Sequence, residues 1–424
     1  MLKLGVSQKL IVGYELGLDY AQISYCNAQD EQVETVSSVA GEESFTIPLV
    51  LCKRLGMNQW YYGKEALQYA GENQGILVED LLRLALDGEP VQIEEKEYDP
   101  TALLTLFFKR TLGMLAGIAG SDRIEALMIT CESLDDRMVE VLDKVSANLR
   151  LRTERIAYQS YQESYYYYML RQPTQLWKEP SVLFYYCGNR MIFYKLECNK
   201  RTQPLVVMIS REEEEFPSRE SLSGGAGEGA ILLDQRFLQM AEENLGEERI
   251  SSVYLIGDDF SEEWLKKSLK FLCDRRRIFL GNNLFSKGAC YGMLEHFRPS
   301  EQGQQTVYLG EDKLRSNIGM EVMRQGEKTY LALLDAGTAW RSAKASMEFY
   351  LKEEKSIDLI VTSLNGGGKR SITIALDQLT GTMARIQMVL SMRDENLLVV
   401  QFRDLGFGEF RPAESRIWEK EIQI

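Results

Sequence analysis

At 424 residues the chain is too long for one ordinary hydrophobic core and divides into two or three domains. Hydrophobic residues make up 45% of it, which excludes wholesale disorder. Sixty-three acidic against 49 basic residues give a formal charge of −14, so nucleic acid or an anionic membrane is repelled on average. The longest basic block, Arg275–Arg277, is too short to reverse that.

In chain order, the opening MLKLGVSQKL lacks the apolar h-region of a signal peptide. Leu10–Tyr25 reads as an apolar strand, a tight glycine-bounded turn and a second strand. That is the outline of a phosphate-binding hairpin. Glu15 is an acid where one is wanted, but Leu18 and Asp19 stand where hydroxyls are expected. Gln32–Ser38 and Phe45–Cys52 read as strands, with Pro48 marking a strand start or edge. Asn58 and Gln59 turn into the strand Trp60–Tyr62, and Gly63–Ala66 opens a helix.

Asp99 followed by Pro100 is an acidic N-cap with proline at the first helical position, and the helix runs to about Ala119. Its apolar run is broken by Lys109 and Arg110, short of the roughly 20 apolar residues a spanning helix needs. A buried helix is expected, and no membrane span. Ile124–Thr130 reads as a strand buried on both faces. Ser133 is placed to cap the next helix, whose Met138, Val141, Leu142, Val145 and Leu149 share one face. A short strand near Arg155–Ala157 leads into a tyrosine-rich helix. Tyr158, Tyr161, Tyr165 and Tyr168 are read on one face of it, with Tyr166 and Tyr167 beside them. Such a face packs in a core with its hydroxyls on polar partners, or offers an aromatic surface that plugs a cleft or receives a partner. Val182–Tyr186 and Met191–Leu196 read as paired strands.

REEEEF at 211–216 and SGGAGEG at 223–229 read as an exposed, mobile connection. No Gly-Lys-Ser/Thr follows the glycines, so a P-loop is not indicated. A helix at about Asp234–Asn244, the strand Ser252–Ile256 and the turn Gly257-Asp258-Asp259 come next. The two aspartates suit the dipole of a following helix better than a cation. That helix is read over Ser261–Cys273 with Leu265, Leu269 and Leu272 inward, and one more over Ser286–Leu294. His296, the single histidine, falls at its end; one histidine makes serine-histidine hydrolysis, a cysteine-histidine pair and a histidine-rich metal site poor bets. Seven cysteines without CxxC pairs point to reduced thiols and a cytoplasmic setting.

After the polar stretch Arg298–Gln305 short strands dominate: Tyr330–Leu334, Ser346–Leu351, Asp358–Ser363, Ser371–Leu376, Ala384–Ser391 and Leu397–Arg403. Turns such as Asn365–Gly368 and Arg393–Asn396 join them, which describes an all-β domain.

Several segments carry a resemblance when read in order. They are Gly13–Gly17; Ile47–Val50 followed by Tyr62–Ala66; Ile124–Ser133 with Arg155–Ala157; Val253–Gly257; Lys287–Gly292; and the strand pattern Leu314–Asp404. The series resembles the actin-like ATPase superfamily, and within it the seventy-kilodalton heat-shock chaperones of the DnaK type. The resemblance implies an α/β, two-lobed actin-like ATPase fold with a reduced second lobe, followed by an all-β sandwich similar to a chaperone substrate domain. The lobes fall at residues 1–158 and 159–299, and the sandwich at 300–424.

In that superfamily, carboxylates at two phosphate hairpins hold magnesium through water, and small residues let backbone N–H groups approach the phosphates. Here Asp19 would face a phosphate with like charge. Tyr185 or Tyr186 falls near the second hairpin's aspartate, with only Gly188 kept of the glycine run. Gln159 lies near the water-orienting acid, Glu163 one turn on, and Asp258 replaces the second glycine of the adenosine motif. The extra lobe that covers adenine and the helical lid are not expected. Mg²⁺ and a triphosphate find too few partners, so neither ATP nor Mg²⁺ is expected as a cofactor and no catalytic residue is assigned. Gly13, Glu15, Gly17, Gly188, Gly257 and Asp258 mark a vestigial nucleotide cleft. The implied function is a non-catalytic, chaperone-like scaffold that binds protein or peptide and no nucleic acid. Two alternatives stand: a nucleotide-independent peptide-binding chaperone, and a weak ATPase or small-molecule kinase using Glu15 and Asp258.

Overall fold

The computed structural model describes residues 9–27, 32–39, 41–119, 124–153, 155–218, 226–257, 260, 263–310, 312–352, 356–364, 368–376, 383–394, 396–407, 413 and 417–424. It is a mixed α/β chain with several sheets and a strand-rich C-terminal region. Two compact units divide it: Met1–Cys198 with Ile209–Gln304, and Asn199–Met208 with Gln305–Ile424.

The first unit opens with the hairpin β1 (Leu10–Leu16) and β2 (Tyr20–Asn27), then β3 (Glu34–Thr35) and β4 (Ile47–Pro48). β5 (Leu51–Arg54), β6 (Trp60–Tyr62) and β7 (Gly75–Val78) make a small sheet around α1 (Gly63–Gly71). Next come α2 (Leu81–Asp87), the hairpin β8 (Val91–Ile93) and β9 (Lys96–Tyr98), and α3 (Pro100–Leu112), which continues through a tight turn into α4 (Ala116–Ala119). β10 (Ile124–Cys131), α5 (Asp136–Leu149), β11 (Ile156–Ser160) and α6 (Tyr161–Leu170) follow. Then come β12 (Ser181–Cys187), β13 (Arg190–Asn199), β14 (Leu205–Glu215), α7 (Ala226–Leu245), β15 (Ser252–Ile256), α8 (Lys267–Leu272), β16 (Arg277–Gly281), α9 (Leu284–Phe297) and the short α10 (Glu301–Gln305).

Two sheets in this unit share one plan. One has the order β11-β10-β1-β2-β3, with β4 also on β2; the other runs β16-β15-β12-β13-β14. In each, an antiparallel hairpin contributes its first strand to a parallel set: β1 with β10 and β11, β12 with β15 and β16. Strand alternation then decides what each sheet face meets. Leu10, Val12, Tyr14 and Leu16 of β1 face a core with α3 and α5, where Tyr14 stacks on Phe108 at 4.2 Å. Val182, Phe184 and Tyr186 of β12 face a core built with α7. The opposite faces receive α6 and α9. Cys290, Met293 and Leu294 of α9 pack on Ile11, Ala126 and Met128, while Tyr165 of α6 bonds Ser181 Oγ on β12 at 2.7 Å.

Glycine sets how closely these layers approach. A Cβ at Gly288 on α9 would lie 2.0 Å from the Ser164 carbonyl of α6, and one at Gly13 on β1 2.2 Å from the Ser286 carbonyl. Both obstacles are backbone, so neither can swing aside.

Several elements depart from the sequence-based expectations. The stretch 211–216 is not a mobile connection, since Arg211–Glu215 complete β14, and the next helix starts at Ala226 rather than near Asp234. Residues 223–225 of the glycine-rich stretch and the Asp258-Asp259 turn lie outside the described residues. α8 is six residues long rather than the Ser261–Cys273 helix expected, although Leu265 and Leu272 are buried. The N-cap of α5 is Asp135, which accepts from Met138 N–H, not Ser133. Tyr158 sits on β11 rather than on the tyrosine-rich helix, its hydroxyl bonding Asp143 and Ser146. The Asp99–Pro100 helix start holds, with Asp99 accepting from Thr101 N–H at 3.0 Å.

Among the described residues one helical run, Pro100–Ile118, is long and apolar enough to cross a membrane by length and composition. Half of it is buried, and Leu103, Leu104, Phe107 and Phe108 belong to the core with β1.

In the second unit, Leu205–Val207 pair in parallel with β17 (Thr306–Tyr308). The remaining strands are β18 (Ser316–Arg324), β19 (Glu327–Leu334), β20 (Lys344–Lys352), β21 (Ser356–Ser363), β22 (Lys369–Ala375), β23 (Met383–Met392), β24 (Leu397–Asp404) and β25 (Ile417–Gln423). They form two four-stranded antiparallel sheets, β19-β18-β21-β22 and β20-β23-β24-β25. One core joins them, with Ile318, Leu359 and Val361 from the first sheet and Ile386, Met388, Val400 and Phe402 from the second. β18 and β25 were not anticipated from sequence.

The α6–α9 contact gives a direct test. Gly288→Ala should lower the first thermal transition by several degrees, as overpacking against backbone costs about 1–3 kcal/mol. An unchanged melting curve by circular dichroism would contradict the close approach.

Candidate functional site

The carboxyl ends of parallel strands are where α/β sheets place ligands. At that end of β1, alternation turns Glu15 away from the α3 side and toward α9, and the side chain is fully buried. A buried carboxylate needs donors. Tyr20, just past the hairpin turn, donates its hydroxyl to Glu15 Oε1 at 2.8 Å. Ser286 N–H, in the first turn of α9, donates to Oε2 at 3.2 Å. Each oxygen therefore has a partner from a different element, and the N-terminal end of α9 favours the negative charge.

The same Tyr20 hydroxyl lies 2.8 Å from the Tyr185 hydroxyl on β12. One hydrogen-bonded chain thus runs from Glu15 through Tyr20 to Tyr185 and links the two hairpin-bearing sheets. Aromatic rings fill the space around it. Tyr161 stacks on Phe285 with centroids 4.1 Å apart, and Tyr185 meets both edge-on at 5.9 and 5.4 Å. Burial, and then the nearby Glu15 charge, push the Tyr20 and Tyr161 hydroxyls far above their ordinary range. Burial does the same at Tyr185. All three are neutral phenols at any physiological pH. The Tyr161 hydroxyl is buried without a hydrogen-bond partner among the described residues.

A second set of contacts lies at the ends of β10, β13 and β14. Arg190 holds Glu132 through both terminal nitrogens, at 3.2 and 3.1 Å, and Glu213 at 3.1 Å. Arg211 reaches the same two carboxylates at 2.6 and 2.5 Å. Two arginines and two glutamates close a ring of alternating charge, about a quarter to a third exposed. Although desolvation opposes it, bonding to both arginines holds the Glu213 carboxyl below its usual range.

The six residues singled out in the sequence have mixed placements. Glu15 is in the buried chain. Gly13 lies within β1, where its missing Cβ admits α9 rather than a phosphate. Gly17 is in the hairpin turn, donating to Tyr20 O at 2.9 Å, and Gly188 makes the opposite turn at a φ of +60°. Gly257 ends β15 at φ +123°, a Cβ there falling 2.2 Å from the Tyr186 carbonyl. Asp258 lies outside the described residues. Of the two tyrosines on the second hairpin, Tyr185 joins the buried chain and Tyr186 turns to the other face, donating to Pro217 O. Gln159 donates to Ser164 Oγ at 2.7 Å, so it serves the α6 packing. Tyr20, Phe285, Ser286, Glu132, Arg211 and Glu213 were not anticipated. Strand alternation from Glu15 would have pointed toward Tyr20, but nothing local marks the others.

Among the described residues no group of three His, Cys, Asp or Glu side chains is placed to hold a metal ion. All seven cysteines are free thiols, with Cys26 and Cys290 sulfurs 3.6 Å apart.

The chain belongs to the family of unknown function DUF5716, whose C-terminal region it matches over residues 32–311. Residues 313–424 match a domain of unknown function, DUF8552. No curated protein matches the chain.

Two outcomes test the site. Tyr20→Phe strips Glu15 and Tyr185 of a partner and should cost about 1–3 kcal/mol, whereas Tyr161→Phe removes an unsatisfied hydroxyl and should be neutral or stabilising. Equal losses in urea melts would refute this account of the buried chain. For the charge ring, the folded-state value of Glu213 is depressed, so its contribution is present above the unfolded carboxylate value of about 4.3 and lost as pH falls through the folded one. The acid-side fall in melting temperature should therefore be shallower in Glu213→Gln than in the native chain.

Proposed function

We propose that the first unit is a divergent actin-like, heat-shock-chaperone-type ATPase fold whose nucleotide cleft is occupied by its own side chains. On this reading the protein is a non-catalytic scaffold that binds protein or peptide. The observation that carries it is the Glu15–Tyr20–Tyr185 chain. In a working member of that superfamily the two hairpins stand apart, with phosphates and hydrated magnesium between them. Here a direct tyrosine–tyrosine hydrogen bond takes that distance, and the acid that would serve the metal is spent on a phenol and a helix N–H.

The repeated sheet plan, with a hairpin feeding a parallel set in each half, and two helices packed between the halves, supports the fold assignment. The rings of Tyr161, Tyr185 and Phe285 support occlusion, since a triphosphate would have to displace all three. The two-sheet second unit is in keeping with a binding module. Isothermal titration with Mg-ATP and Mg-ADP should give no heat of binding at protein concentrations that reveal micromolar sites. Micromolar binding accompanied by phosphate release would overturn the reading in favour of a weak ATPase.

A further inference from the structure

A different face of the first unit carries features that the cleft does not explain. Between Lys266 and Arg277 stand six basic residues and one acid, in a chain of net charge −14. Lys267 and Lys270 on α8 are exposed, as are Arg275 and Arg277. None of these four forms an ion pair with another described residue. Arg276 is used locally: its guanidinium lies 5.1 Å over the Phe271 ring and donates to the Phe271 carbonyl.

The basic segment leads directly into β16, the terminal strand of its sheet. β16 pairs with β15 from Ser252↔Arg277 to Ile256↔Gly281, and its other side meets no strand among the described residues. Folded proteins commonly shield such an edge, because a row of open N–H and C=O groups invites pairing. Here the edge also shows apolar surface: Phe279 is 38% and Leu280 50% exposed. Phe279 stacks on Tyr254 at 4.9 Å, on the α6 face of the sheet. Ile278 packs into the α7–α8 core, and Leu280 shares its face by alternation.

We infer that this edge receives an extended acidic peptide, which adds to the sheet as a further strand beside β16. Backbone pairing would supply affinity, and the cations at the head of the strand would select glutamate or aspartate. The placement of Phe279 and Leu280 on opposite faces favours a strand over a lipid surface. A bilayer is a plane and can cover one of the two, whereas an added strand lays side chains against both. A nucleic acid would use the cations but neither the open edge nor the apolar pair. The inference names the partner class for the binding role proposed above, yet stands apart from the cleft: nucleotide titration tests one and peptide binding the other.

The probe is a fluorescent decapeptide of alternating glutamate and valine, measured by anisotropy against the full chain. Its controls are the same peptide N-methylated at every second residue and a decaglutamate. Binding of the plain peptide is expected, with loss on N-methylation and weaker binding to decaglutamate. Arg275→Glu with Arg277→Glu should weaken it by about tenfold, and added salt should weaken it further. No binding would overturn the inference, as would equal binding of the N-methylated peptide or decaglutamate, which would reveal mere ion exchange. An unchanged affinity in a folded double variant would place the peptide elsewhere and refute it too. Binding only to phosphatidylserine vesicles would assign the patch to a membrane instead. If the variant fails to fold, the N-methylation comparison on the native chain still decides.

Discussion

A carboxylate buried away from water must be supplied with donors, and in this protein that demand at Glu15 organises the centre of the first unit. Its two oxygens draw in Tyr20 from the hairpin turn and the start of α9. Because the Tyr20 hydroxyl also meets Tyr185, satisfying one acid on one sheet fixes a contact with the other. The aromatic rings that exclude water from this chain make each hydrogen bond in it stronger, and make the loss of any one costlier. The Glu15 carboxylate is a structural tie.

That tie depends on close packing of the middle helices. α6 and α9 can approach only because Gly288 carries no side chain at the crossing, and α9 lies on β1 only because of Gly13. In sequence, Gly13 reads as part of a phosphate hairpin and Gly288 as part of a small-residue helix. Their role here is the absence of a Cβ against backbone, which is a packing role. The Arg190–Glu132–Arg211–Glu213 ring adds an electrostatic contact at the strand ends, partly exposed and so modest in strength.

Two strands of the second sheet, β14 and β16, handle charge in opposite ways. On β14, Arg190, Arg211 and Arg236 offset Glu213 and Glu214, so a run of glutamates that reads as an exposed connection completes a strand. Beside β16, Lys267, Lys270, Arg275 and Arg277 form no ion pair with another described residue, and the outer side of the strand meets no strand among the described residues. Charge on β14 is compensated within the fold, whereas the charge beside β16 is what the inferred acidic peptide would complement.

The sequence by itself determined the elements that local physics controls. Helical spacing put Met138, Val141, Leu142, Val145 and Leu149 on the buried face of α5, and Asp99–Pro100 started α3. Ser252–Ile256 and most strands of the second unit were legible from their apolar pattern. Tertiary structure alone decided that Tyr185 rather than Tyr186 meets Tyr20, that Glu15 is sealed by Tyr20 and Ser286, that Arg211–Glu215 form a strand, and that Gly13 serves packing. Each of these turns on a partner far away in the chain: Tyr20 for Tyr185, Ser286 for Glu15, Arg190 for Glu213, Cys290 for Gly13. Propensity and periodicity act over a few residues, while the donor for a buried acid or the counter-ion for a strand of glutamates exists only once distant segments have come together.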